Sequence, residues 1–381
     1  MKKGSRKKIL INGLSAVWGG GVVYLRHLLS HYAGHIHFIA NQQNRKDFEK
    51  LTEEFSNISV HWFETSHYWQ KVYFYFFTLP ELCRKLEIDV LYEPANFFYR
   101  KPTGVRVILN IQNLAPFFKH ARMQKQRWNW KLRWALLRFL TYRSIRQSDR
   151  VVFISRYSFN LLKSCVPELK HKFFNEIVYH GIPRQEETKP SDFKNFLHAR
   201  EISEQFLFTP AHLLWYKNIE SVILALPRVF KAQPQLHYVV AGNFTTPDYY
   251  DYLVKLVREL NLDKKVHFSG EVTRTVLCDL YRNCKLMIFP SLIENMPFTL
   301  LESLSFGCVI VAADNAVIPE VVKNSALLVP PTSPGDYAGA ILKLLSDEKL
   351  MCDYKNKARE RAGDFSWARS AKLLQRALTE F

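Results

Sequence analysis

At 381 residues and 48% apolar composition the chain exceeds what one hydrophobic core usually serves, so two domains are expected. Its net charge of +18 sits in one half, with 30 Lys and Arg against 12 Asp and Glu over residues 1–184 and 23 of each over residues 185–381. The basic half is therefore expected to face something anionic: phosphates, a membrane surface or nucleic acid. Six cysteines without a CxxC pair argue against a zinc module and read as reduced, structural thiols, and no apolar run approaches the ~20 residues of a membrane span. The apolar run of MKKGSRKKILINGL stops at Ile11, too short for a signal peptide. The expectation is a cytoplasmic protein, soluble or peripheral on the inner face of the membrane.

ILIN (9–12) reads as a short buried strand running into a glycine turn, Gly19, Gly20 and Gly21, and then into helical spacing. Strand, glycine loop and helix open a parallel α/β unit. Further strands are expected at HIHFIA (35–40), ISVHWF (58–63), DVLYEP (89–94), RVILNIQ (106–112), RVVFIS (150–155) and EIVYHG (176–181). Between them, HYWQKVYFYFFTLPELCRK (67–85) is aromatic and weakly basic, and residues 117–148 carry nine Lys and Arg with a helical period. At 100° per residue Trp128, Leu132, Ala135, Leu136 and Phe139 share one side, which reads as a core-facing stripe. Trp130, Trp134 and Leu137 share another with Arg127, Lys131 and Arg138. Basic residues interleaved with Trp suit an anionic lipid interface; the alternative is that both segments pack under other helices. Nucleic-acid binding is not expected, because no recognisable module accompanies the charge.

After Gly181 the polar, charged stretch 185–204 reads as a linker. A second alternation follows, with strands at FLFTPAH (206–212), HYVVAG (237–242), KVHFSG (265–270), KLMIFP (285–290), CVIVAA (308–313) and ALLVPP (326–331). Two runs of buried strands with helices between them predict two doubly wound parallel sheets, each binding ligand at the carboxyl ends of its strands. The expected organisation is a basic domain over 1–184, the linker, a second domain over 205–365 and a terminal helix over 366–381.

The stretch PSLIENMPFTLLESLSFG (290–307) places Glu294 in a loop and Glu302 about one turn inside a helix that Pro297 starts and Gly307 ends. A helix start offers backbone N–H groups and a positive dipole end to a phosphate. Carboxylates on either side of such a site need hydroxyls to accept from. A nucleotide sugar supplies both.

Residues 290–322, from PS through the E-x7-E pair to ADNAVIPEVV, resemble the donor-binding core of family 4 retaining glycosyltransferases of GT-B fold. The glycine loop, RVVFIS, VYHGIP, WYKN and FSWARSAKLL resemble further elements of that family. The resemblance implies two Rossmann-like domains facing each other across a cleft. It implies that Gly19, Gly20, Gly21 and Lys217 approach the donor diphosphate, that Glu302 holds the ribose and Glu294 the transferred sugar, and that backbone N–H groups around Met296, Pro297, Phe298 and Thr299 meet sugar and phosphate oxygens. Where the family often has an Arg before the Lys, this chain has His212. Where the family commonly has a His near the reacting sugar, it has Gln112, which orients hydroxyls but cannot serve as a base. No DxD motif occurs, so neither a metal nor another cofactor is expected. The partners implied are a UDP-, GDP- or ADP-sugar and a lipid-linked or glycan acceptor in cell-surface glycan synthesis. Another GT-B-fold enzyme, an epimerase or phosphorylase, or an inactive scaffold are the alternatives.

Overall fold

The computed structural model describes residues 7–16, 19–65, 67–118, 128–182, 193–244 and 246–380, with the backbone alone for residues 52 and 128–130. The described residues form two units, one made of those up to Gly181 together with Ser366 onward, the other of Ile182–Phe365.

The first unit is built on seven parallel strands: β1 (Ile9–Asn12), β2 (Ile36–Asn41), β3 (Ile58–Phe63), β4 (Val90–Glu93), β5 (Arg106–Ile111), β6 (Arg150–Phe153) and β7 (Phe173–Ile177), in the order β3-β2-β1-β4-β5-β6-β7. The central strands are buried along their whole length, as β1 and β4 demonstrate. Helices cover both faces of such a sheet, so its strands read as unbroken apolar runs. The last strand begins three residues earlier than the sequence pattern placed it. His180, which the pattern put in that strand, stacks instead on Trp367 with ring centroids 5.8 Å apart. Trp367 opens the helix Trp367–Thr379, which buries Ala371, Leu374 and Leu378 in this unit and ties Arg376 to Glu176 at 2.6 Å.

The helix Trp128–Gln147 corrects the expected orientation. Leu132, Leu136 and Phe139, expected in the core, are exposed, whereas Trp134, Leu137 and Arg138 are half-buried. What anchors the helix is its last two turns, where Thr141, Ser144 and Ile145 are buried. Ser144 Oγ accepts from the Phe98 N–H at 3.0 Å and donates to the Phe98 carbonyl at 3.2 Å. Small hydroxyl residues that satisfy buried backbone mark the inward face here, and apolar periodicity alone does not separate the two sides. Lys131 is exposed; Arg127 lies outside the described residues, as does the Trp130 side chain.

The second unit holds six parallel strands: β8 (Phe206–Pro210), β9 (His237–Ala241), β10 (Val266–Gly270), β11 (Leu286–Phe289), β12 (Ile310–Ala313) and β13 (Ala326–Val329), in the order β10-β9-β8-β11-β12-β13. The stretch expected to be a structureless linker contains the helix Phe193–His198, whose Leu197 is buried and whose Phe193 ring meets Phe206 at 6.3 Å. Phe193, Phe196 and Leu197 span barely more than one turn, too short a run in a charged stretch to register as a period. Both sheets reverse their strand order once, beside β1 and β4 in the first and beside β8 and β11 in the second. In doubly wound sheets the crevice at that switch point, at the carboxyl ends of the strands, is where ligands bind.

Candidate functional site

The switch point of the second sheet brings the loops after β8 and β11 side by side. The first loop runs through a single 3-10 turn, Trp215–Lys217, to Asn218, whose φ of 57° ends it in the left-handed region. The Asn218 amide donates to the carbonyls of Pro290 (3.1 Å) and Pro331 (2.6 Å), and the Leu292 N–H donates to the Tyr216 carbonyl at 2.7 Å. Asn315 braces the other side by donating to the Leu292 carbonyl at 2.7 Å. These bonds make the two loops one framework, and on it Lys217 Nζ donates to Glu294 Oε1 at 2.7 Å.

Both members of that pair are nearly buried, at 12% side-chain exposure each. Burial pulls the Lys217 ammonium toward its neutral form, but the Glu294 carboxylate outweighs it, and the lysine is held above its usual range. The ammonium also lies over the Tyr216 ring (5.3 Å) and the Phe289 ring (5.9 Å). Its two remaining N–H donors meet no acceptor among the described residues. A fixed cation with donors to spare, in a half-desolvated loop, suits a phosphate oxygen.

The helix Phe298–Ser305 starts at Pro297, whose side chain offers no cap, and its first turn carries the positive end of the helix dipole. It ends at Gly307 with φ of 68°, and the Cys308 N–H closes onto the Ser303 carbonyl at 2.9 Å. Glu302 lies one turn inside, on the side of the helix Arg274–Asn283. Its Oε1 takes a 2.7 Å ion pair from Arg274 and its Oε2 lies 3.2 Å from the Tyr281 hydroxyl. Tyr281 is buried, stacked on Phe306 at 5.2 Å, and burial followed by the neighbouring Glu302 charge raises its phenol well above the usual value. Each carboxylate oxygen keeps a lone pair after these contacts, so Glu302 is held in place with acceptor capacity left over.

His212, at the position where an arginine was sought, accepts the Asn243 N–H at Nδ1 over 3.0 Å. Burial and then the Lys217 charge lower its pKa, which keeps it neutral rather than a second phosphate cation.

The remaining sequence-predicted residues belong to the first unit. Gly19 caps the helix Gly20–His31 with φ of 68°, a conformation that side chains resist, while Gly20 and Gly21 form its first turn. Gln112 follows β5, and its N–H donates to Asn96 Oδ1 at 2.9 Å. The switch point of the first sheet carries a further group: Glu93, at the end of β4, is fully buried and accepts from Asn12 Nδ2 (2.8 Å) and the Tyr75 hydroxyl (2.9 Å). Asn12 Oδ1 in turn accepts from the Leu14 N–H, so this cluster pins the start of the glycine loop. Beyond the end of β3 a cavity of about 450 Å³ is lined by Phe63, Thr65, Trp69, Tyr73 and Phe74 among others. Arg274, Tyr281 and Glu93 are ordinary members of amphipathic or apolar segments in the sequence, and no local signal marks them.

Two doubly wound parallel sheets of this order define a GT-B type α/β fold, and solved structures agree with it along nearly the whole chain. Anabaena Alr3699/HepE, solved in complex with UDP-glucose, superposes with a TM-score of 0.75 at 18% identity over 99% of this chain and 100% of that one. WaaG, a glycosyltransferase involved in lipopolysaccharide biosynthesis, gives a TM-score of 0.69 at 13% identity over 98% and 100%. Residues 192–361 match the family model of glycosyl transferases group 1, and residues 18–172 that of Glycosyltransferase Family 4. Among curated proteins, the serotype-specific mannosyltransferase WbdA of Escherichia coli is 27% identical over 173 residues, which is 45% of this chain and 21% of WbdA. The chain thus spans about a fifth of the length of that relative. The capsular polysaccharide biosynthesis glycosyltransferase CapH of Staphylococcus aureus is 24% identical over 308 residues, 79% of this chain and 80% of CapH.

Proposed function

We propose that the protein is a metal-independent, retaining glycosyltransferase that moves a sugar from a UDP-, GDP- or ADP-sugar to a lipid-linked or polysaccharide acceptor in cell-surface glycan synthesis, at the cytoplasmic face of a membrane. The observation that carries this reading is the nearly buried Lys217–Glu294 pair on the loops at the switch point of the second sheet, with Glu302 in the helix that follows held in place by Arg274 and Tyr281. The nearby family models and the UDP-glucose complex of a structural neighbour support a nucleotide-sugar donor.

In this mechanism Glu302 accepts from the ribose diol and Glu294 from hydroxyls of the transferred sugar. Lys217 and the helix N–H groups meet the diphosphate. The bond between the anomeric carbon and the diphosphate breaks with its electron pair going to the phosphate oxygen. The acceptor hydroxyl forms the new bond on the same face and passes its proton to that oxygen, so no protein base is required. Preorganised cations and dipoles aimed at the departing charge are the main source of acceleration in such a step, removal of one commonly costing on the order of 100-fold in kcat.

The test separates binding from turnover. Glu302→Ala is expected to weaken nucleotide affinity by roughly tenfold, the loss of a charged hydrogen bond, while Glu294→Ala lowers kcat by about 100-fold with nucleotide affinity nearly unchanged. Calorimetry with a panel of nucleotides and hydrolysis of the matching sugars read the two effects, with EDTA expected to leave hydrolysis intact. Wild-type nucleotide affinity in Glu302→Ala would overturn the assignment of roles.

A further inference from the structure

Segment Tyr68–Thr78 of the first unit continues as one coil from an α-helix, Tyr68–Tyr73, into a π-helical turn, Phe74–Thr78. Its inward side is ordinary core, with Phe74 and Tyr75 buried. The outward side is not ordinary surface: Trp69 is 77% exposed, Tyr73 62% and Phe77 61%, one residue per turn along a single line. Tyr73 and Phe77 rings lie 4.9 Å apart, so the stripe is continuous. On the helix Trp128–Gln147, Leu132, Leu136 and Phe139 make a second outward apolar line. The segment between them joins the two: the Tyr99 ring meets Tyr68 at 6.0 Å, and Arg143, one turn from Phe139, donates to the Tyr99 carbonyl at 3.1 Å. Single exposed apolar residues need no explanation, but six in two aligned stripes do.

The charge around the stripes selects the occupant. Between Glu93 and Asp149 the sequence has not one acidic residue, and its described cations include Arg100, Lys101, Lys131, Arg133, Arg138 and Arg143. Arg100 lies against the Phe76 ring at 5.8 Å, and Lys131 stands exposed beside Leu132. A second copy of this chain meeting it through the same face would bring like charges together. A bilayer supplies both complements at once, anionic headgroups for the cations and a hydrocarbon boundary for Trp, Tyr and Phe rings. The geometry points to these two stripes, and not to the half-buried Trp134 and Arg138 side, as the face on which the protein seats on an anionic lipid surface. Trp69 and Tyr73 also form walls of the 450 Å³ cavity beyond β3, which places that cavity at the edge of the lipid-facing surface. This inference deepens the reading of a membrane-borne acceptor and rests on it, while its test does not.

The full chain is mixed with vesicles of phosphatidylcholine and phosphatidylglycerol, or phosphatidylcholine alone, and sedimented. Wild type is expected to partition to the anionic vesicles and to be released by about 1 M salt, where charges are screened beyond roughly 3 Å. The variant Trp69→Ser, Phe77→Ser, Leu136→Ser, Phe139→Ser should lose at least about tenfold in partitioning with its melting temperature and nucleotide affinity unchanged, because all four side chains point to solvent. Equal sedimentation of variant and wild type overturns the proposal, as does wild type that ignores anionic vesicles. Light scattering that finds a dimer dissociated by the same substitutions replaces the lipid with a second copy. Vesicle binding without any nucleotide-sugar hydrolysis refutes the proposed function alone; hydrolysis without vesicle binding refutes this inference alone.

Discussion

Glu93 illustrates how one residue couples charge to the frame of a site. Burial pushes its carboxyl up to about 8, against the hydrogen bonds from Asn12 and Tyr75 that favour the charged form. The folded protein therefore keeps a proton that the unfolded chain releases near 4.5, the ordinary value of a glutamate. Stability contributed by this group is complete below that lower value and declines as pH rises toward 8, by up to about 1.4 kcal/mol per pH unit. Thermal unfolding followed from pH 5 to pH 8 should show the decline, and Glu93→Gln, which keeps the shape without the proton, should flatten it and be the more stable protein at pH 8. Parallel pH profiles for the two would remove Glu93 from the account. Residues of this kind explain what the sequence left unread. Lys217, Glu294 and Glu302 stand next to turn and helix-end signals that identify a loop after a strand, and the pair Lys217–Glu294 follows once the sheet is doubly wound. Arg274 and Tyr281 reach Glu302 only because the helix Arg274–Asn283 packs beside it, which no spacing announces.

At the scale of elements, strand existence was legible and boundaries less so. Buried parallel strands are short apolar runs between turn signals, and all thirteen stand out as such. The helix Trp128–Gln147 was legible as a helix and inverted as a face, because its inward side is built from Thr141 and Ser144 and its outward side from Leu132, Leu136 and Phe139. The helix Phe298–Ser305 was legible at both ends, Pro297 before it and Gly307 after it. Its glycine is there for two reasons: a φ of 68°, and an Arg359 side chain whose Nε would lie 2.7 Å from any Cβ. Gly307→Ala is expected to destabilise the second unit by about 1–2 kcal/mol, the strain of a left-handed residue, and to displace Arg359. Denaturant unfolding reads the loss. A variant as stable as wild type would mean that this helix ends by another device.

For the whole molecule the consequential feature is connectivity. Ile182–Phe365 is continuous in sequence, whereas the first unit is completed by Ser366 onward. There the Trp367 ring stacks on His27 at 5.1 Å and Arg150 donates to the Ala377 carbonyl at 2.7 Å. Removing residues 366–381 strips cover from Tyr24, His180 and the buried Leu374 and Leu378 side of the core, so the first unit should lose several kcal/mol while the second keeps its own transition. Two separated calorimetric transitions in the truncated chain, only the first shifted, are the expected result; an unshifted first transition would deny the helix its part in that core. The same connectivity sets an order of assembly. Domains fold as their chain emerges, and here the second unit has all its residues while the first still waits for Trp367. During synthesis the basic, aromatic half is thus the last to close, and its apolar lining is open to solvent and to other chains for the time it takes to make the second unit. Cells that produce this protein slowly, or supply a holding chaperone through that interval, should recover more of it in folded form than cells that produce it fast.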